Sequence, residues 1–203
     1  MAVCRRREIR HSRDMLARPH LSIAGVRRER VMKPDLSLLD DVVSARVLGA
    51  MRVASRALTE LGIRHVVVGG LAVGANGHPR ATKDVDFLVG DEAFEKHPGD
   101  FVTMRPGVPI QVDGVMIDLL SVSEGEGHLA AALAATPGSP IDAPRLIYLK
   151  LKSPRQKDRV DVIELVKAGI EIETCRDYLS ANAPDMLVAF ADAVAKAASE
   201  EDG

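Results

Sequence analysis

The stretch VVVGGLAVGANGHPRATKDVDFLV, Val66 to Val89, decides how this chain folds. Three β-branched residues run into Gly69 and Gly70, the pattern of a short buried strand ending at a glycine turn. LAVGANGH, punctuated by glycine, suits a turn of helix packed on that strand, and KDVDFLV reads as a second strand. Strand alternation puts Asp84 and Asp86 on one face and Val85, Phe87 and Val89 on the other, toward the core. The two carboxylates then stand about 7 Å apart along the backbone, at ~3.3 Å per residue. Like charges this close raise each other's pKa, and Mg²⁺ with its shell of oxygens is the usual cation to relieve them. A solvated strand face with alternating polar residues is the competing reading, which the D-x-D pair alone does not exclude.

Working outward, Leu39, Val43, Val47, Ala50, Ala54, Leu58 and Leu61 recur at three and four residues, which predicts one long helix from Asp35 with Gly62 capping its end. DEAFEKH reads as a brief helix, and VPIQVDGVMIDLLSV as a hairpin turning at Asp113-Gly114. Asp118 lies on the strand face opposite Val115, Ile117 and Leu119, where strand pairing can bring it beside the first two aspartates. Two helices follow, APRLIYLKLK and SPRQKDRVDVIELVKAG. In the second, Ser153 and Gln156 have capping-box spacing, Pro154 fits the first helical position and Gly169 closes the end. Pro184 opens a last helix with Leu187, Phe190, Ala191 and Val194 on its apolar face. This order predicts a small mixed sheet covered by helices, an α/β or α+β fold.

Length and charge bound the alternatives. A chain of 203 residues, 46% hydrophobic, can bury one core with a small helical appendage. Residues 1–33 hold ten of the 27 basic residues and three of the 29 acidic ones, which leaves that segment at +7 and the remainder at −9. So acidic a body is a poor general binder of polyphosphate backbones, and 3% aromatic residues make a poor base-stacking platform. The basic arm reads as disordered, with a nucleic-acid-binding arm and a start at Met32 as the other readings. Cys4 and Cys175 form neither a disulfide framework nor a zinc motif. Charges occupy the N-terminus and no apolar run is long enough for a membrane span, so the expected setting is soluble, cytoplasmic and away from membranes.

Gly69 and Gly70, where a strand passes into a helix, leave backbone N–H groups open to a close anion such as phosphate. Neither G-x-x-x-x-G-K-[ST] nor G-x-G-x-x-G is present. The Gly-Gly strand end, the short helix, Arg80-x-Thr82-x-Asp84-x-Asp86 and the later lone Asp118 resemble the DNA polymerase β-like nucleotidyltransferase superfamily. Within it they are similar to the bacterial branch that includes AbiEii-type toxins, which has a later Lys and then R-x-K-D-x-x-D. Here stand Lys150, then Arg155, Lys157, Asp158 and Asp161. The resemblance spans roughly residues 40 to 168, within a domain taken as 34–169, with helices over 170–203 packed on it.

That resemblance implies a Mg²⁺-dependent nucleotidyltransferase that moves a nucleoside monophosphate from an NTP, ATP among the candidates, to a hydroxyl. Asp84, Asp86 and Asp118 would be catalytic and would hold two magnesium ions. Gly69, Gly70, Arg80, Lys150 and Asp158 would bind the nucleotide. Gly70 departs from the more usual serine, and only one of Lys150 and Lys152, about 200° apart on a helix, can face the site. An exposed, charge-paired helix face is the competing reading for Asp158 and Asp161. Tyr148 and His128 read as packing and loop residues. The acceptor stays open among a tRNA end, a protein side chain and a small molecule, and a toxin paired with an antitoxin is the more specific form. A non-catalytic nucleotide-binding or regulatory module and an antibiotic-modifying nucleotidyltransferase are the alternatives.

Overall fold

The computed structural model describes residues 33–95, 104–105 and 107–201. The basic arm, read as disordered, lies almost wholly outside them. Among the described residues four strands form a mixed sheet in the order β1-β2-β4-β3, with seven α-helices around it: β1 is His65–Val68, β2 Asp84–Val89, β3 Ile110–Val112 and β4 Val115–Ser121. β1 runs antiparallel to β2, β2 parallel to β4, and β3 antiparallel to β4. Asp113 and Gly114 both have positive φ, 51° and 71°, as a two-residue hairpin turn requires. The expected α+β fold with a small mixed sheet is what forms.

Alternation divides the sheet's two faces. Val85, Phe87 and Val89 of β2 and Val115, Ile117 and Leu119 of β4 pack with Val47, Met51, Ala54 and Leu58 of α1 (Ala45–Glu60). Val66, Val68 and Leu88 point the other way, toward α2 (Gly69–Ala75), α3 (Gly127–Ala130), α4 (Ala143–Lys152), α5 (Gln156–Lys167), α6 (Ile172–Asn182) and α7 (Leu187–Glu201). Along β2 this second face reads Asp84, Asp86, Leu88. Its last residue lies under the helices and its first two at the end where the cover stops. The outer edge of β1 is covered by residues 138–141, through Val67 N–H to the Ser139 carbonyl and Ile141 N–H to the Val67 carbonyl.

Three local expectations change. The long helix from Asp35 is instead a 3-10 turn, Leu36–Leu39, followed by α1 beginning after Ser44. Asp35 Oδ1 accepts the Ser37 N–H at 2.9 Å and Ser44 Oγ the Val47 N–H at 3.4 Å, so the chain starts a helical segment twice. The apolar period runs through the break because Leu39 and Val43 bury in the same core as α1. Secondly, Ser153 caps the end of α4 rather than the start of α5, and Pro154 stands between them. The Ser153 hydroxyl donates to the buried Asp158 Oδ2 at 2.5 Å, a stronger demand than a helix start makes. Lastly, α7 buries Phe190, Ala193 and Ala197, while Ala191 is exposed.

His65 belongs to this frame. It is buried in β1, with Nδ1 donating to the Ile63 carbonyl at 2.8 Å and Nε2 accepting from Ser55 Oγ at the same distance. Burial lowers its pKa below the ordinary 6.5, against the Ile63 contact, which raises it. A depressed histidine contributes stability that is present above 6.5 and is lost as pH falls from there through the folded value. Thermal melts of the parent between pH 7 and 5 are expected to show a loss that His65→Gln does not share. Identical pH profiles would overturn the assignment.

Candidate active site

The site starts where β1 ends. Val68 is extended, and Gly69 turns the chain into α2 at φ 61°, a left-handed backbone that disfavours any side chain. A Cβ at Gly69 would stand 1.8 Å from Asp86 Oδ2, because the Asp86 carboxylate lies on the glycine itself. Gly69→Ala is expected to lose about 1–2 kcal/mol from the backbone alone, and more from displacing Asp86. Urea unfolding curves measure it, and unchanged stability would rule out this elbow. At Gly70 a Cβ would come within 2.9 Å of Thr82 Oγ1. The space a serine would need there is taken by Thr82, whose hydroxyl donates to Asp84 Oδ1 at 2.7 Å.

The parallel pairing of β2 with β4 sets Asp86 directly opposite Asp118, with Asp84 two residues along. Burial raises the Asp86 pKa, the Asp84 and Asp118 charges add to the rise, and Lys150 and Arg155 oppose it. Asp86 therefore feels the charges of both other carboxylates. Their hard oxygens fit a divalent ion such as Mg²⁺. Among the described residues, however, no three His, Cys, Asp or Glu side chains are already gathered around one point. Asp84 is turned to Thr82 and Asp86 to Gly69, so an ion would have to draw the carboxylates from these contacts.

Beside them lies a buried ion network. Lys150 Nζ touches Asp158 Oδ1 at 2.7 Å and Asp161 Oδ2 at 2.8 Å, with its side chain 5% exposed and theirs 0% and 4%. Arg80 grips Asp161 with two N–H groups, at 2.7 and 2.8 Å. Arg155 Nε reaches Asp158 Oδ2 at 2.6 Å. Burial would push the Asp158 carboxyl up, but hydrogen bonds from Lys150, Ser153 and Arg155 hold it at about 2. Asp161 is likewise lowered against burial, by Arg80 and Lys150. Arg80, Lys150 and Asp158, all expected at the nucleotide, are thus brought to the carboxylates while being bound to one another. Arg80 and Lys150 border the same small cleft of about 60 Å³ as Gly69, Gly70, Asp84, Asp86 and Asp118.

A larger cavity of about 340 Å³ opens from Gly69, Asp86 and Lys150, with Leu88, Leu120, Leu129, Leu146 and Leu149 in its walls. Its polar wall holds Glu126, a residue with no motif around it in the sequence. Burial raises the Glu126 pKa, but hydrogen bonds from Lys152, Tyr148 and Ser123 outweigh that and lower it to about 2. Tyr148 and Lys152 both donate to Glu126 Oε1 at 2.6 Å. So Lys150 faces the carboxylates, Lys152 faces the cavity, and Tyr148 is a packing residue that also orients Glu126. His128, whose Nδ1 lies 2.5 Å from the Tyr178 hydroxyl, packs edge-on against both tyrosines. No signal in the sequence marked Glu126. Thr82 was visible in the motif, but its service to Asp84 depends on the contact.

Among the described residues no helix is long and apolar enough to cross a membrane. No family model and no curated protein matches the chain. Among solved structures it is similar to an antigenic nucleotidyltransferase-like protein from Paracoccidioides brasiliensis. The identity is 15%, the match covers 73% of this chain and 94% of that one, and the TM-score is 0.41. A likeness that distant carries no argument, and the chemistry below rests on this chain's own residues.

Proposed function

We propose that the chain is a nucleotidyltransferase of the polymerase β-like kind, which moves a nucleoside monophosphate from an NTP to an acceptor hydroxyl. The supporting observation is the register that sets Asp86 beside Asp118 and near Asp84, over the Gly69 elbow. The adjoining 340 Å³ cavity, largely walled by leucines, is within the range of ligand pockets and suits a nucleobase and its sugar.

Asp84, Asp86 and Asp118 would hold magnesium, which supplies positive charge for the leaving pyrophosphate and lowers the pKa of the acceptor oxygen. Asp118 accepts the acceptor hydroxyl's hydrogen bond and takes its proton as that oxygen bonds to the α-phosphorus. The bond from the α-phosphorus to the bridging oxygen breaks, and pyrophosphate leaves. Thr82 keeps the Asp84 carboxylate from swinging freely, and Gly69 leaves room for that of Asp86. Acceptors in this proposal are a tRNA end, a protein side chain or a small-molecule hydroxyl.

Incubation with each α-labelled NTP and Mg²⁺, first with total RNA and then with protein extract, tests it. Transfer of label with release of pyrophosphate is expected. Absence of both with every NTP and acceptor pool would leave a nucleotide-binding module. In the toxin form of the proposal, induction arrests growth and a small antitoxin relieves it.

A further inference from the structure

The cations around the carboxylates fall into two sets. Lys150 and Arg80 are committed: between them they hold Asp158 and Asp161, both almost fully buried. To reach a phosphate, Lys150 would have to leave two buried carboxylates short of their cation, and that is costly. Lys83 and Lys157 carry no such obligation. Both are exposed, and among the described residues neither takes an ion-pair partner. With Arg80, Thr82 and Asp84 they line a groove of about 290 Å³, and Lys157 also borders the cleft shared by Gly69, Asp84, Asp86 and Asp118.

We infer that Lys157 and Lys83 bind the polyphosphate tail of the nucleotide, and that Lys150, Arg80, Asp158 and Asp161 form the charge-compensated frame that positions them. The inference rests on the nucleotidyltransferase reading and reassigns a role within it. Lys157 stands in the first turn of α5, one residue before Asp158, so the buried pairing of Asp158 with Lys150 anchors the turn that carries it. Lysine, a point charge on a flexible stem, suits a mobile anion better than an already bidentate Arg80 does. Asp84, the acidic member of the groove, lies where magnesium would accompany the phosphates. The large leucine-walled cavity is on the Asp86 side and the lysine groove on the Asp84 side, so base and phosphates would lie to either side of the carboxylates.

Calorimetric titration of the full chain with inorganic tripolyphosphate in Mg²⁺ tests this without any acceptor. Lys157→Ala and Lys83→Ala are each expected to weaken binding about tenfold, the value of one charge-assisted hydrogen bond, without lowering the melting temperature. Lys196→Ala, an exposed charge removed from α7, controls for net charge. If the parent binds and both groove variants bind as Lys196→Ala does, the inference is overturned while the transferase reading stands. Lys150→Met weakening binding by the same factor with an unchanged melting temperature would also overturn it. A parent that binds no tripolyphosphate removes the transferase reading itself.

Discussion

Asp86→Asn is expected to abolish transfer while leaving a metal-free protein at least as stable as the parent. The two effects have one cause. Asp86 is partly buried beside Asp84 and Asp118, and its pKa is raised first by desolvation and then by those neighbours. A raised carboxyl contributes stability that is fully present below its unfolded value, near 3.8, and lost as pH rises through the folded value. Once ionised, Asp86 is therefore a destabilising group, offset when a cation joins it. Asparagine keeps the shape, removes the charge and removes that offset, so the Mg²⁺-dependent rise in melting temperature should shrink with the activity. Melts of Asp84→Asn, Asp86→Asn, Asp118→Asn and the parent, with and without Mg²⁺, decide it. An equal metal response in all four would mean that the aspartates are not one site.

Lys150→Met is expected to be the most destabilising single change at the site, by about 3–5 kcal/mol, the range found on removing one partner of a buried ion pair. Lys150 is the cation common to Asp158 and Asp161, and Arg80 and Arg155 each reach only one of them. In the parent, Asp158 sits at about 2, so its contribution is present above 3.8 and is lost as pH falls toward 2. Without Lys150 both buried carboxyls should rise, and the variant should become relatively more stable toward acid. Urea unfolding of parent and variant at pH 7 and pH 4 measures the gap and its narrowing. A loss under 1 kcal/mol at pH 7 would show that the arginines suffice.

Much of this was legible in one stretch of sequence. Val66 to Val89 encodes two strands, the elbow between them and the shared face of Asp84 and Asp86, because period-two alternation and glycine's conformational freedom act within a few residues of chain. The Asp113-Gly114 turn is local for the same reason. Where local signals compete, the sequence misleads. Leu39 and Val43 continue the period of α1 without continuing its helix, and Ser153 has capping spacing but serves Asp158.

The pattern of residue types by itself determined the strands, the glycine elbow and the shared face of Asp84 and Asp86, since each depends on neighbours close along the chain. Only the tertiary structure decided that β2 lies parallel to β4 with Asp86 opposite Asp118, a register set by burying Val85, Phe87, Ile117 and Leu119 against α1. It alone also decided which cations are spent. Arg80, Lys150, Asp158 and Asp161 look like four separate charges in the sequence. A buried charge demands a partner wherever the fold can bring one, and here Arg80 meets Asp161 across 81 positions of chain.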